Sequence, residues 1–232
     1  VFTGPARAGD LQQLLQLIDY VGVDYAEAIA SGEVINPGEY QEMLDFSVGI
    51  QQLVAGLPES DTRTHLQEHA GKLAEQISGK ADPDAISGVT ASMRLTVING
   101  YQVTAIPRQS PDLERGAMLY MEQCASCHGA SGDGLGPLSV DMDPPPVNFL
   151  DLERYSQRTL YGLYNTITLG VTETAMQPYH EMSAADRWAL AFYVGHLPVD
   201  QAAQAADTES LLVDPILEPL LDIQKLTVTT PA

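Results

Sequence analysis

Long apolar runs are missing from this chain of 232 residues. The longest candidate, WALAFYVGHL around Trp188, falls well short of the roughly 20 residues that cross a bilayer, so no membrane span is expected within it. Cations are scarce as well. With 11 Lys and Arg against 31 Asp and Glu, the formal net charge is -20, which argues against nucleic acid or an anionic membrane surface as a partner. The acidity is spread along the chain: residues 1–109 hold 14 acids and 6 bases, and residues 110–200 hold 12 acids and 4 bases. Lysine is wholly absent from residues 110–200. A docking partner for that stretch has to be basic itself, or bind through apolar contact.

Cysteine is the third scarcity. The chain has 2, Cys124 and Cys127, within MEQCASCHGASGDG. No second pair of Cys or His follows at metal spacing, which speaks against tetrahedral zinc. No βαβ pattern surrounds the pair, which speaks against a thioredoxin-like dithiol. What stands there is C-x-x-C-H, the attachment signature of a c-type haem: two thiols add across the haem vinyl groups, and His128 supplies the proximal imidazole. One covalent haem c is therefore expected. Such attachment normally takes place outside the cytoplasm, so a periplasmic or otherwise extracytoplasmic location is expected. The chain opens on Val1, which fits removal of a signal peptide, excision from a longer protein, or both.

The periodicity is helical throughout. Leu11, Leu15, Ile18, Gly22, Tyr25 and Ile29 predict a helix over 10–31, with Asp10 as N-cap and Gly32 as stop. A second helix ends at Leu57-Pro58, its stripe formed by Met43, Phe46, Ile50, Leu53 and Leu57. A third spans Asp61 to Ser78, and a fourth runs from Asp82 to about Val103. Short connections make neighbours antiparallel, so residues 1–106 read as a four-helix bundle. The Pro-containing stretch IPRQSP marks the boundary. Residues 107–198 read as a monohaem domain resembling class I cytochromes c. In it a helix leads into the motif, Gly- and Pro-rich loops follow, a helix covers 156–170, and a last helix runs from Ser183 to about His196. Gly116 is expected to meet Trp188 or Phe192 where the first and last of these helices cross. Residues 199–232 read as an acidic linker or tail. The fold class is all-α.

The second axial ligand decides between an electron carrier and an open haem. Met142, Met176, His180 and Met182 lie downstream of the motif. Met176 sits in a polar loop between two helices, before Gln177-Pro178, and is the expected ligand; His180 is the alternative. Methionine ligation closes the iron to exogenous ligands and raises its potential relative to bis-histidine. The carbonyl of Pro137 is expected to accept from His128 Nδ1. Arg154 and Arg158 are candidates to pair a haem propionate, Arg158 above all, with surface ion pairs as the other reading.

CASCHGASGDGLGPLSVDMDPPPVNFLDLERY, followed by TLGVTETAMQPYHEMSAADRWALAFYVGHL, resembles the cytochrome c domain fused in front of bacterial iron permeases. LIDYVGVDYAEAI and GEYQEMLDF resemble the helical segment of the same fusions. The likeness covers about residues 10–197. GDGLGP stands where GxGDGP is more usual, and TETAM where GTAM is. The resemblance implies the N-terminal extracytoplasmic part of such a fusion protein, with an iron permease membrane domain as partner.

With iron in view, the bundle carboxylates gain interest. Asp24 and Glu27 lie late on the first helix, and Glu42 lies on the predicted stripe of the second, where an unpaired carboxylate is costly. Carboxylates from adjacent bundle helices hold hard iron ions, so a non-haem iron ion on Asp24, Glu27 and Glu42 is one reading. The other is a solvated acidic face, with Glu42 capping or bonded to Tyr20 or Tyr25. His65 and His69 start from the opposite end of the bundle and do not reach this site. Function then divides in two. The chain is an electron-transfer cytochrome coupled to iron oxidation and uptake by an attached or associated permease, or a general periplasmic redox carrier whose bundle docks a partner with a basic surface.

Overall fold

The computed structural model describes residues 6–103, 105–155, 157–172 and 174–205, and the greater part of the expected acidic tail lies outside them. The chain is all-α apart from one short hairpin, and it divides into two compact units, Val1–Thr104 and Ala105–Ala232.

The first unit is a four-helix bundle. Helix α1 (Ala8–Ala28) buries Leu11, Leu14, Leu15, Ile18, Val21 and Tyr25, a stripe at helical spacing. Its N-cap is Arg7, without a side-chain cap bond; Asp10 falls inside the first turn, where its charge suits the helix dipole. The helix stops before the predicted Gly32. Residues Ile29–Ala30 (β1) pair antiparallel with Glu33–Val34 (β2), around Ser31 and Gly32 at φ 53° and 77°. Positive φ at both central positions is what a tight two-residue hairpin turn requires. Helix α2 (Pro37–Gly56) begins on Asn36, whose side chain accepts from the amides of Gly38 and Glu39 at 3.1 and 3.3 Å. Helices α3 (Asp61–Ser78) and α4 (Pro83–Gly100) are capped by Ser60 and Asp82. Packing pairs α1 with α2, α2 with α3, α3 with α4 and α4 with α1, the closed ring of an up-and-down bundle.

On α2 the buried face differs from expectation. Met43, Ser47, Ile50 and Val54 are buried, while Phe46 and Leu53 are half-buried. Phe46 lies 6.0 Å from the ring of Tyr20. Ser47 tolerates an inner position because its hydroxyl donates to the Leu44 carbonyl at 2.7 Å, an i−3 bond that removes the desolvation cost. This rotation leaves Glu42 exposed, off the core stripe where the periodicity set it.

One ion pair is built into the bundle core. Arg94 on α4 donates to Asp19 on α1 at 2.8 Å, with the two side chains 11% and 6% exposed. Breaking a buried pair on one side strands a charge, whereas replacing both partners by apolar residues of similar volume is often neutral. Arg94→Met is therefore expected to cost about 3 kcal/mol in denaturant unfolding of the bundle, and the double variant Asp19→Leu/Arg94→Met to recover most of that. Equal losses in the single and double variants would contradict the pairing.

The second unit contains α5 (Leu113–Gln123), α6 (Ala125–His128), α7 (Leu152–Tyr155), α8 (Leu160–Leu169) and α9 (Ala184–Ala205). Helix α9 packs on α5, α7 and α8. It continues through Pro198, past the stop expected near His196. Helix α8 is shorter than the predicted 156–170, because Thr159 caps it by accepting from the Gly162 amide at 2.9 Å. At the α5–α9 crossing, Gly116 faces the Ala189 carbonyl and Tyr193 Cβ rather than Trp188 or Phe192. Trp188 instead stacks on Tyr164, ring centroids 4.4 Å apart.

Candidate haem site

Helix α5 starts on Asp112, whose carboxylate accepts from the Arg115 amide at 3.0 Å, and it delivers Cys124 to its C-terminal end. The Cys124 amide donates to the Tyr120 carbonyl at 2.8 Å, and the amides of Cys127 and His128 donate to the Cys124 carbonyl at 3.1 and 2.9 Å. One turn, α6 with Cys124 as its N-cap, thus brings together both thiols and the imidazole. A turn this short leaves its carbonyls without helical partners, and the next loop satisfies them. Gly134, Gly136 and Leu138 donate their amides to the carbonyls of His128, Cys127 and Ser126 at 2.8, 3.1 and 2.8 Å. Gly136 is required there: a Cβ would stand 2.5 Å from the Ser126 carbonyl oxygen and 2.7 Å from that of Ala125. Tyr120 adds a buried bond from its hydroxyl to the Gly129 carbonyl at 2.7 Å, and burial raises its pKa.

The His128 ring stacks on Phe149, centroids 4.6 Å apart at 19°, and its Nδ1 lies 3.4 Å from the Val147 carbonyl oxygen. Val147, not Pro137, is therefore the acceptor that faces Nδ1; Pro137 is exposed. A carbonyl at Nδ1 selects the tautomer that leaves Nε2 for a metal. Burial lowers the His128 pKa and outweighs the opposing effect of the Val147 carbonyl, which favours the neutral imidazole that ligates iron. Burial, and then the neighbouring Cys127, push the Cys124 thiol up to about 12.

Met176 is half-buried on a loop fixed at several points. Its carbonyl accepts from the Val171 amide at 3.1 Å, and the Tyr179 amide donates to the Ile167 carbonyl at 3.0 Å. Its own amide donates to Thr174 Oγ1 at 3.1 Å. Gly170, at φ 69°, lets the Met176–Pro178 backbone approach so closely that a Cβ would collide with it. The Tyr179 hydroxyl crosses to the Gln123 carbonyl, just before Cys124, at 3.1 Å, so the Met176 loop is tied to the helix end that bears the thiols. His180 is 59% exposed and pairs with Glu181 at 3.1 Å. Met142 and Met182 are half-buried.

These residues fit a c-type haem. Two thiols and an imidazole share one turn, a thioether is carried by a loop anchored to the same helix end, and Leu135, Leu138 and Val140 are exposed by 79%, 60% and 82% along the loop bonded to that turn. Arg158 is only 8% exposed, and Arg154 is half-buried. Sequence reasoning missed Val147, Phe149 and Tyr179. Only Phe149 carried a signal, as an aromatic closing a Pro-rich loop.

In the bundle, Asp24 is 6% exposed, Glu27 half-buried and Glu42 exposed. Among the described residues, no group of three or more His, Cys, Asp or Glu stands arranged to hold a metal ion. No helix among them is long and apolar enough to cross a membrane.

Comparison with known proteins accounts for both units. Residues 5–98 match the iron permease-associated 4-helix bundle domain, and residues 113–198 match cytochrome c. Among solved structures, a chain of the Kuenenia stuttgartiensis reducing HAO-like protein complex aligns at 24% identity and a TM-score of 0.36, over 50% of this chain and 59% of its own length. No curated protein matches.

Because the loop amides close the motif turn only where Gly136 permits, Gly136→Ala is expected to lower domain stability by about 1–3 kcal/mol. It is also expected to reduce the yield of covalently haem-loaded protein, read from the pyridine haemochrome spectrum per mole of chain. Wild-type yield and stability would contradict the close approach.

Proposed function

From a chain that carries an iron permease-associated four-helix bundle domain followed by a cytochrome c domain, we propose an extracytoplasmic electron-transfer module that serves iron oxidation and uptake by an attached or associated iron permease. The observation that carries this reading is the pairing of the two domains on one chain, the second with its thiols and imidazole on a single turn.

Bound there, the haem supplies a one-electron Fe(III)/Fe(II) couple. Cys124 and Cys127 would hold it covalently, His128, oriented by the Val147 carbonyl and the Phe149 ring, would offer Nε2 to the iron, and Met176 would offer its thioether, a ligand pair that would keep small exogenous ligands off the metal. Arg158 would pair a propionate. The exposed Leu135, Leu138 and Val140, on a unit without lysine in residues 110–200, suit a redox partner that presents an apolar face rimmed by basic side chains.

In the iron-coupled reading, Asp24, Glu27 and Glu42 would hold a ferrous ion as substrate, and the ferric haem would supply the one-electron acceptor that lets the ion leave as ferric iron. Glu42 is exposed whereas Asp24 is 6% exposed, which favours a second reading, a general redox carrier whose bundle serves as a docking scaffold. Anaerobic stopped-flow mixing of the oxidised full chain with ferrous iron separates the two. Coupling predicts haem reduction that saturates with iron concentration, with the iron affinity falling about ten-fold or more in Asp24→Asn/Glu27→Gln. Reduction that rises linearly with iron and is equal in wild type and variant supports the scaffold reading instead.

A further inference from the structure

The Tyr179 side chain makes a contact that its own loop does not need. The backbone of the Met176 loop is already held within its neighbourhood by Val171, Thr174 and Ile167, all of them close in sequence. The Tyr179 hydroxyl reaches 56 residues back to the Gln123 carbonyl at 3.1 Å. That carbonyl belongs to the last residue of α5, one of the terminal C=O groups that a helix cannot satisfy internally. The next residue is Cys124. Of the bonds that fix the Met176 loop, this one alone among the described residues joins it to the segment carrying the thiols and the imidazole.

We propose that Tyr179 is a positioning residue for the sixth ligand: a strap from the Met176 loop to the end of α5 that holds the thioether at the iron and keeps the coordination site closed. The proposal rests on the reading of Met176 as ligand. A hinged loop exchanges between a closed state, thioether on iron, and an open one, iron accessible to small ligands. A bond made only in the closed state biases that equilibrium by its own net worth. For a single neutral hydrogen bond this corresponds to about five-fold in the open population.

Three variants of the haem-loaded full chain test this, with the thioether-to-iron charge-transfer band, apparent cyanide affinity and denaturant midpoint as readouts. Tyr179→Phe keeps the ring and removes the hydroxyl; the band is expected to persist while cyanide affinity rises about five-fold. Met176→Ala is expected to lose the band and bind cyanide far more tightly. Thr159→Ala removes the α8 cap and lowers stability without touching the strap, so its cyanide affinity is expected to match wild type. A Tyr179→Phe protein indistinguishable from wild type in cyanide affinity overturns the strap and leaves Met176 standing. A rise of the same size in Thr159→Ala also overturns it, since general loosening would then explain the effect. A wild type without the band, binding cyanide as Met176→Ala does, overturns the ligand assignment and the strap with it.

Discussion

The cytochrome unit depends on the closure of one turn. Residues 125–128 form a single helical turn whose carbonyls face away from any helix that could continue, because Gly129 leaves the helical region at φ 81°. Three amides of the returning loop take up the carbonyls of Ser126, Cys127 and His128. Only a residue without Cβ fits at Gly136. Once the loop is committed to those bonds, its continuation brings Val147 and Phe149 to the His128 ring. The His128 ring is thereby oriented by a backbone carbonyl and an aromatic ring, not by a dedicated polar side chain. Such an arrangement resists drift, since a buried C=O left unmade costs about 1–3 kcal/mol.

The loop that carries Met176 is held by a different principle. The Met176 loop is short of internal structure and takes its shape from Gly170, from local backbone bonds and from the long reach of Tyr179 to α5. The motif turn and the Met176 loop therefore meet at the end of α5, where the Gln123 carbonyl and Cys124 stand at the junction. In the bundle, by contrast, order comes from apolar stripes and one buried ion pair, Asp19 with Arg94. A pair of this kind adds little net stability over well-packed apolar residues of similar volume.

Much of this was legible in the sequence, for identifiable reasons. C-x-x-C-H names its own chemistry, and α3 has its predicted limits, Asp61–Ser78. On α2 the expected Met43, Ile50 and Leu57 are buried, but Ser47 and Val54 take the inner places expected of Phe46 and Leu53, because Ser47, polar by type, is apolar in effect once its hydroxyl bonds Leu44. That shift is what placed Glu42 in the core on paper and puts it at the surface in the fold. The acceptor for His128 was sought at nearby Pro137 and stands 19 residues on, at Val147. Backbone acceptors brought home by a loop's path leave no mark in composition. The Tyr179 strap is hidden for the same reason, and Pro198 misled because a proline ends most helices but sits inside α9. The pairing of the two domains, by contrast, needed both halves of the sequence and was visible in motifs from each.

The central claim is a closed haem iron between His128 and Met176, from which electron transfer rather than ligand chemistry follows. X-ray absorption at the iron edge of the oxidised, haem-loaded full chain addresses it without perturbing the protein. The account predicts a sulfur scatterer at bonding distance beside the porphyrin and imidazole nitrogens, lost in Met176→Ala. A first shell made only of nitrogen and oxygen in the wild type, as His180 or water ligation would give, would contradict it.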